Sequence, residues 1–311
     1  MRSRESIPGV PITTAHAPRS LLRNAEKDRM RPLAAWLALV VTALGCAGSG
    51  HPGAAPPPPA PPPSTVPEDL RAQVEHAERL GHDIYLQDKA AAIASDVLLA
   101  NVPAPHEHGL RGYLTMLESA EGRPRESWIV LFYTDEDPPR IAFRVRVPMA
   151  GNGKPGFEAL DPPAPTSDGV RLLIRARQTA IAALPGGRVQ PVNPVIVPGD
   201  ADGVLVYLLA GTKRPGVAVF GKHYRVLVSP DGDNVLKLEP LSKGILELPV
   251  APPGMAAGRD AVGLVVSHVV TDYPLETHVF VSLQHKLPVY VATERGNWRV
   301  DGDAITLLPP R

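Results

Sequence analysis

Three histidines and a glutamate in the C-terminal third of the sequence could form a chemically active site: His223, His268, Glu276 and His278. Imidazole and carboxylate groups are common zinc ligands, and a catalytic zinc site uses three of them with one position open for water. If Thr277 begins a strand, Glu276 and His278 share one face of it and His268 reaches them across a hairpin. Strand histidines are also commonly hydrogen-bonded sheet residues, so these four residues are polar candidates rather than an assigned metal site.

A hydrolase is the alternative, because Ser267, His268 and Asp272 supply the residue types of a catalytic triad. However, β-strand alternation places Ser267 and His268 on opposite faces, and the sequence has no G-x-S-x-G nucleophile elbow. The histidines also lack HExxH-like spacing. We therefore expect no catalytic residue, no metal and no cofactor, with an anchored hydrolase, metal-dependent or not, as the alternative.

The only cysteine, Cys46, follows a segment typical of secretion signals. Arg31 precedes an apolar run of 12 residues, Leu33 to Leu44, which is shorter than the roughly 20 needed to span a bilayer. Ala43-Leu44-Gly45-Cys46 resembles the lipobox of bacterial lipoproteins, in which the cysteine is acylated and becomes the first mature residue. The resemblance covers this segment alone and implies that Cys46 is the lipid attachment site.

The resemblance also implies a division of the chain. Residues 30–45 are the signal peptide, and residues 1–29 are interpreted as a mis-called N-terminal extension. Residues 46–67 are a proline-rich tether, which as polyproline II rises about 3.1 Å per residue and reaches roughly 60 Å from the lipid. Residues 68–311 form the folded domain, with 185–188 as an alternative internal boundary.

Charge and composition restrict the partners. From Cys46 onward the chain has 25 basic and 29 acidic residues, and this mildly acidic balance argues against nucleic acid binding. A hydrophobic content of 44% is ample for a large core. The expected partners are the membrane, through the lipid anchor, and a protein of the cell envelope.

Apolar spacing predicts a helix from Glu68 to just before Pro103, either continuous or broken at Gly81, and a second helix from about Gly169 to Leu184. A hairpin is predicted at Trp128–Tyr133 and Ile141–Val147. Further strands are predicted at Val192–Val197, Gly203–Ala210, Lys222–Ser229, Val235–Glu239, Gly263–Thr271, Thr277–Leu283, Leu287–Thr293 and Ala304–Leu308. The predicted class is α+β, with N-terminal helices packed on a mostly antiparallel sheet or sandwich.

These patterns favour a noncatalytic, lipid-anchored protein of the cell envelope, on its periplasmic face, with a binding or scaffold domain. Ala47 lacks the acidic character that retains enteric lipoproteins at the inner membrane, so the resemblance favours the outer membrane. A small-molecule sensor or carrier is a further alternative, and an apolar pocket with few polar groups would be its signature.

The lipid anchor is directly testable. We expect Cys46→Ser to move the mature protein from the membrane to the soluble periplasmic fraction, because two acyl chains make membrane binding durable. Fractionation and immunoblotting measure the distribution. Membrane association that persists in this variant after signal removal would contradict the lipoprotein interpretation.

Overall fold

The computed structural model describes residues 66–118, 127–149, 153–185, 192–197, 202–212, 214–250 and 263–310, all of which belong to one compact unit. Three α-helices and fourteen strands occur in these ranges, which confirms the α+β class. Cys46, the signal segment and all but the last two residues of the tether lie outside the described residues, as does most of the alternative boundary at 185–188.

The helices are α1 (Arg71–Asn101), α2 (Asp168–Ala182) and α3 (Glu276–His285). Helix α1 is continuous through Gly81, so of the two alternatives the unbroken helix is correct. Helix α2 begins after Ser167, whose hydroxyl accepts a hydrogen bond from the backbone N–H of Val170, as expected for an N-cap serine.

The strands form four sheets. The first sheet is an antiparallel meander of β1 (Leu110–Leu117), β2 (Ser127–Thr134), β3 (Arg140–Pro148) and β4 (Gly156–Pro165). The second has the order β5-β6-β8-β9, made of β5 (Val192–Val197), β6 (Val204–Ala210), β8 (Tyr224–Val228) and β9 (Val235–Pro240). The third pairs β7 (Val217–Phe220) with β10 (Leu246–Pro249). The fourth contains β11 (Leu264–Ser267), β12 (Val289–Thr293), β13 (Gly296–Asp301) and β14 (Ala304–Leu307).

One predicted strand is wrong: the residues from Thr277 to Leu283 belong to helix α3. The error has a physical cause, because every residue from Glu276 to Ser282 is buried, and a helix buried on all sides loses its polar face and its periodicity. As a result, Glu276 and His278 do not share a strand face. Helix α3 instead forms the crossover between β11 and β12, which are parallel to each other.

Helix α1 contributes to two hydrophobic clusters. Its first half, including Val74, Leu80 and Ile84, packs in a cluster with α3 and with the closing hairpin of β13 and β14. Its second half, including Ala94 and Leu98, lies in a cluster with β2 and β3. A helix of 31 residues is about 46 Å long, which is sufficient to reach both clusters.

Gly81 lies where α1 meets α3. A β-carbon at this position would lie 2.5 Å from Cβ of Val279 and 2.6 Å from the backbone oxygen of Glu276. These distances are shorter than any normal van der Waals contact, so only glycine fits between the two helices. The glycine that resembled a helix break in the sequence is therefore a point of close helix packing.

We expect Gly81→Ala to lower the free energy of unfolding by about 1–3 kcal/mol, because the added methyl group overpacks a crossing that includes backbone. The matched control is Gly169→Ala in α2, where a β-carbon meets no atom within 4 Å. That variant should leave stability unchanged or raise it by up to about 1 kcal/mol. Urea unfolding of both variants measures the difference, and equal stabilities would contradict the packing role of Gly81.

Candidate functional site

A pocket of about 210 Å³ lies at the C-terminal end of β11 and the N-terminal end of α3. Its remaining walls come from the β7–β8 connection, around Phe220, and from the β9–β10 connection, residues 241–246. In α/β arrangements, ligands commonly bind beyond the carboxyl ends of parallel strands, and β11 is such a strand.

The apolar part of the pocket continues to the surface. Ile245, Leu246, Val269 and Val270 all line it, and each is between 40% and 58% exposed. Exposed apolar side chains that cluster around a cavity are typical of a binding site rather than of ordinary surface. The sequence did not reveal this cluster, because its members come from two connections that lie far apart in the chain.

The pocket brings together three of the four candidate residues. His223, His268 and His278 line it, and all three are buried. Glu276 is also buried, but its carboxylate hydrogen-bonds to the β5-β6-β8-β9 sheet. The structure thus groups the histidines that the sequence singled out and separates the glutamate from them.

His223 is fixed by the backbone. Its Nδ1 accepts a hydrogen bond from the N–H of Ala210 at 3.0 Å, and its Nε2 lies 3.2 Å from the oxygen of Val219, to which it donates. Burial lowers its pKa to about 4, so the ring is neutral at physiological pH. With both nitrogens occupied, His223 serves as a structural part of the wall.

His268 and His278 form an edge-to-face pair, with ring centroids 4.8 Å apart. Nε2 of His268 lies 2.9 Å from the hydroxyl and 3.3 Å from the backbone nitrogen of Thr271, so this residue closes a turn directly after β11. The predicted strand Gly263–Thr271 therefore ends early, at Ser267. Burial lowers the pKa of His268 to about 4, which keeps its ring uncharged at neutral pH.

His278 presents a hydrogen-bond donor to the pocket. Its Nδ1 accepts from the backbone N–H of Leu275 at 3.0 Å, so the proton of the neutral ring is on Nε2. Burial first, and then the neighbouring His268 and His223, lower its pKa to about 3. Among the described residues Nε2 has no hydrogen-bond partner.

Thr277 lines the pocket but was not among the candidate residues predicted from the sequence. Its side chain lines the pocket, it is only 5% exposed, and its hydroxyl has no hydrogen-bond partner in the described part of the chain. No motif marks it. Only its position in the first turn of a buried helix indicates a role.

Glu276 connects α3 to the neighbouring sheet. Its Oε1 accepts hydrogen bonds from the Tyr207 hydroxyl at 2.7 Å and from Arg225 at 3.1 Å. Arg225 also donates to Glu239, which is ion-paired with Lys237. Burial, followed by the adjacent Glu276 carboxylate, raises the pKa of Tyr207 far above its ordinary value, so the phenol stays a donor. This network fixes the start of α3 and therefore the position of His278.

The described part of the pocket does not show the hydrogen bonds of a Ser-His-Asp triad. Within the described ranges, none of the three pocket histidines is hydrogen-bonded to a carboxylate, and Ser267 makes no hydrogen bond to either His268 or His278. The same ranges contain no group of three or more histidine, cysteine or acidic side chains that could hold a metal ion. What the pocket offers chemically is a mostly apolar cavity with a few uncharged polar groups and one basic residue, Lys243.

Comparison of the chain with protein-family models, curated proteins and solved structures found no match. No helix among the described residues has the length and apolar character needed to cross a membrane.

The buried histidines predict acid sensitivity. The unfolded chain binds protons at His223 and His278 below about pH 6.5, whereas the folded chain does so only near pH 4 and 3. The free energy of unfolding is therefore highest above pH 6.5 and falls as the pH drops towards 4. We expect each residue to account for about 1–2 kcal/mol of the loss between pH 7.5 and 5, measured by urea unfolding.

His223→Gln should reduce this pH dependence. The matched control is His76→Gln, on the exposed face of α1, which should leave the pH dependence unchanged.

Asp88 has the opposite effect on stability, because burial raises its pKa to about 6 and its charged form destabilises the fold as the pH rises. The opposing effect of Asp88 on the free energy of unfolding is smaller than the combined effect of His223 and His278. Stability that is constant between pH 7.5 and 5 would contradict the assignment of neutral, buried rings.

Proposed function

We propose that this protein is a lipid-anchored component of the bacterial cell envelope, and that residues 68–311 are a noncatalytic domain that binds a small molecule. In this proposal the helices pack on the sheets as a rigid frame, and the pocket between β11 and α3 is the binding site. The observation that carries it is the 210 Å³ cavity with apolar walls and neutral histidines.

The size of the pocket limits what it can hold. It is larger than an engineered cavity of about 150 Å³ that binds benzene, and smaller than drug-sized sites of roughly 300–1,000 Å³. A ligand of about six to ten non-hydrogen atoms suits this volume. Apolar walls supply most of the affinity for such a ligand, while a few polar groups set its orientation.

Binding is favoured over hydrolysis by the hydrogen bonds of the histidines. A general base in a triad needs one nitrogen for the nucleophile and the other for an orienting carboxylate. In this pocket, His278 is oriented by the backbone N–H of Leu275, which donates to the ring instead of accepting its proton. The ring of His278 is therefore fixed in the tautomer whose Nε2–H donates a hydrogen bond, and we expect a ligand in the pocket to accept it.

The proposed location follows from the lipobox resemblance. Cys46 carries the lipid, residues 46–67 extend the domain away from the membrane, and the outer membrane is favoured. The tether would let the pocket reach ligands or an envelope protein at a distance of up to roughly 60 Å from the lipid.

Methyl NMR tests the binding proposal. The unlipidated mature chain, Cys46→Ser, is labelled at isoleucine methyl groups and titrated with 1-hexanol, hexanamide and hexanoate. We expect at least one of these probes to shift the methyl resonances of Ile245, which lines the pocket, in a saturable manner with Kd of about 1 mM. Resonances of Ile129, in β2, should not move.

Gly244→Phe provides a blocked pocket, because Gly244 lines the cavity and a β-carbon at this position meets no atom within 4 Å. This variant should abolish the Ile245 shifts. The matched control is Gly169→Phe, because a β-carbon at Gly169 also meets no atom within 4 Å but this residue does not line the pocket. This variant should retain the Ile245 shifts. If none of the three probes shifts Ile245, or if Gly244→Phe binds as well as the parent chain, the proposed function is wrong.

A further inference from the structure

Helix α3 begins without an oxygen cap. Its N-cap residue is Leu275, which has no side-chain acceptor, whereas serine, threonine, aspartate or asparagine normally supplies one. The N–H of His278 bonds to the oxygen of Leu275, but that of Thr277 has no partner among the described residues. The acceptor for this N–H lies outside the helix, as water or as a ligand, and the pocket opens at this terminus.

Two adjacent, largely buried side chains with donor groups line the pocket at this helix terminus. Thr277 and His278 are 5% and 6% exposed, and both line the pocket. No described residue forms a hydrogen bond with the Thr277 hydroxyl or with Nε2 of His278, and neither atom is among the fully buried polar atoms without a partner, so both remain accessible from the pocket. Together with the Thr277 N–H they form a group of donors that an oxygen atom from a ligand would satisfy.

The charges around the pocket favour a negatively charged oxygen. Lys243 is the only acidic or basic residue other than the histidines among the described residues that line it. Glu276 lies in the same helical turn, but its carboxylate is bound by Tyr207 and Arg225. The N-terminal end of a helix of 10 residues adds a partial positive charge.

We propose that the pocket binds a small apolar monocarboxylate, with the carboxylate on Thr277 and His278 and the apolar chain against Ile245 and Val269. This inference rests on the proposed function and specifies its ligand class. A carboxylate has acceptors only, and thus matches the N–H of Thr277 and Nε2–H of His278. A primary amide carries two donors of its own, and an ammonium group carries only donors.

Three six-carbon probes that differ in their polar group test this inference: hexanoate, hexanamide and hexylamine. Each is titrated at pH 7.5 into the Cys46→Ser mature chain, with the Ile245 methyl resonances as readout. We expect hexanoate to bind about ten- to a hundredfold more tightly than hexanamide, because hydrogen bonds to a charged acceptor are stronger than neutral ones. Hexylamine should bind more weakly than hexanamide.

Two conservative variants locate the carboxylate. Thr277→Val retains the shape of the side chain and removes the hydroxyl. His278→Asn retains an acceptor for the Leu275 N–H and removes the donor at Nε2. Each should weaken hexanoate binding more than hexanamide binding, and so reduce the ratio of the two affinities, because the carboxylate makes the stronger hydrogen bonds to these donors. The matched control is His285→Asn, at the opposite end of α3, which should bind hexanoate as the parent does.

The outcomes separate the two proposals. If hexanoate and hexanamide bind the parent chain equally at Ile245, the carboxylate inference is overturned while the binding function stands. If the ratio of the two affinities is undiminished in both variants, the assignment to Thr277 and His278 is overturned. The absence of any saturable shift with all the probes overturns the proposed function itself. The comparison on the parent chain requires no variant, so a variant that fails to fold does not affect it.

Discussion

The close crossing of α1 and α3 is the constraint on which the rest of this structure depends. Gly81 lets the two helices approach until Val279 and the backbone of Glu276 occupy the space of a side chain. Helix α3 is covered by α1 at this contact, and its residues are buried from Glu276 to Ser282. The Glu276 network with Tyr207 and Arg225 then fixes the start of α3, so helix packing and a partly buried ion pair together position the pocket.

The same burial explains the chemical character of the site. A histidine surrounded by apolar residues has a lowered pKa and stays neutral, and backbone hydrogen bonds then decide which nitrogen carries the proton. In His223 this arrangement leaves no free nitrogen, whereas in His278 it leaves one donor. Two histidines in one cavity, His223 and His278, therefore differ in whether they can donate a hydrogen bond to a ligand.

Local patterns in the sequence predicted some elements well and others not at all. The bounds of β5 agree with the prediction, because strand propensity and alternation are local properties of the sequence. Strand β4 was missed because its residues are mostly exposed and three are prolines, and α3 was missed because it has no polar face. Histidine chemistry identified His268 and His278 as candidates. The location of Thr277 in the pocket could not be predicted, because it depends on tertiary packing, and no local sequence pattern records that packing.

The pairing of the first helix with the last hairpin has a consequence for the order of folding. Glu78 accepts a hydrogen bond from the backbone N–H of Ile305, 227 positions later in the chain, and Asp69 pairs with Arg295 across 226 positions. The first half of α1 therefore completes its set of native neighbours only once the last hairpin is present. Closing so long a loop is entropically costly, and chains with many distant contacts fold slowly. Until then part of the apolar face of α1 stays uncovered, and transiently exposed apolar surface of this kind makes a folding intermediate prone to aggregate.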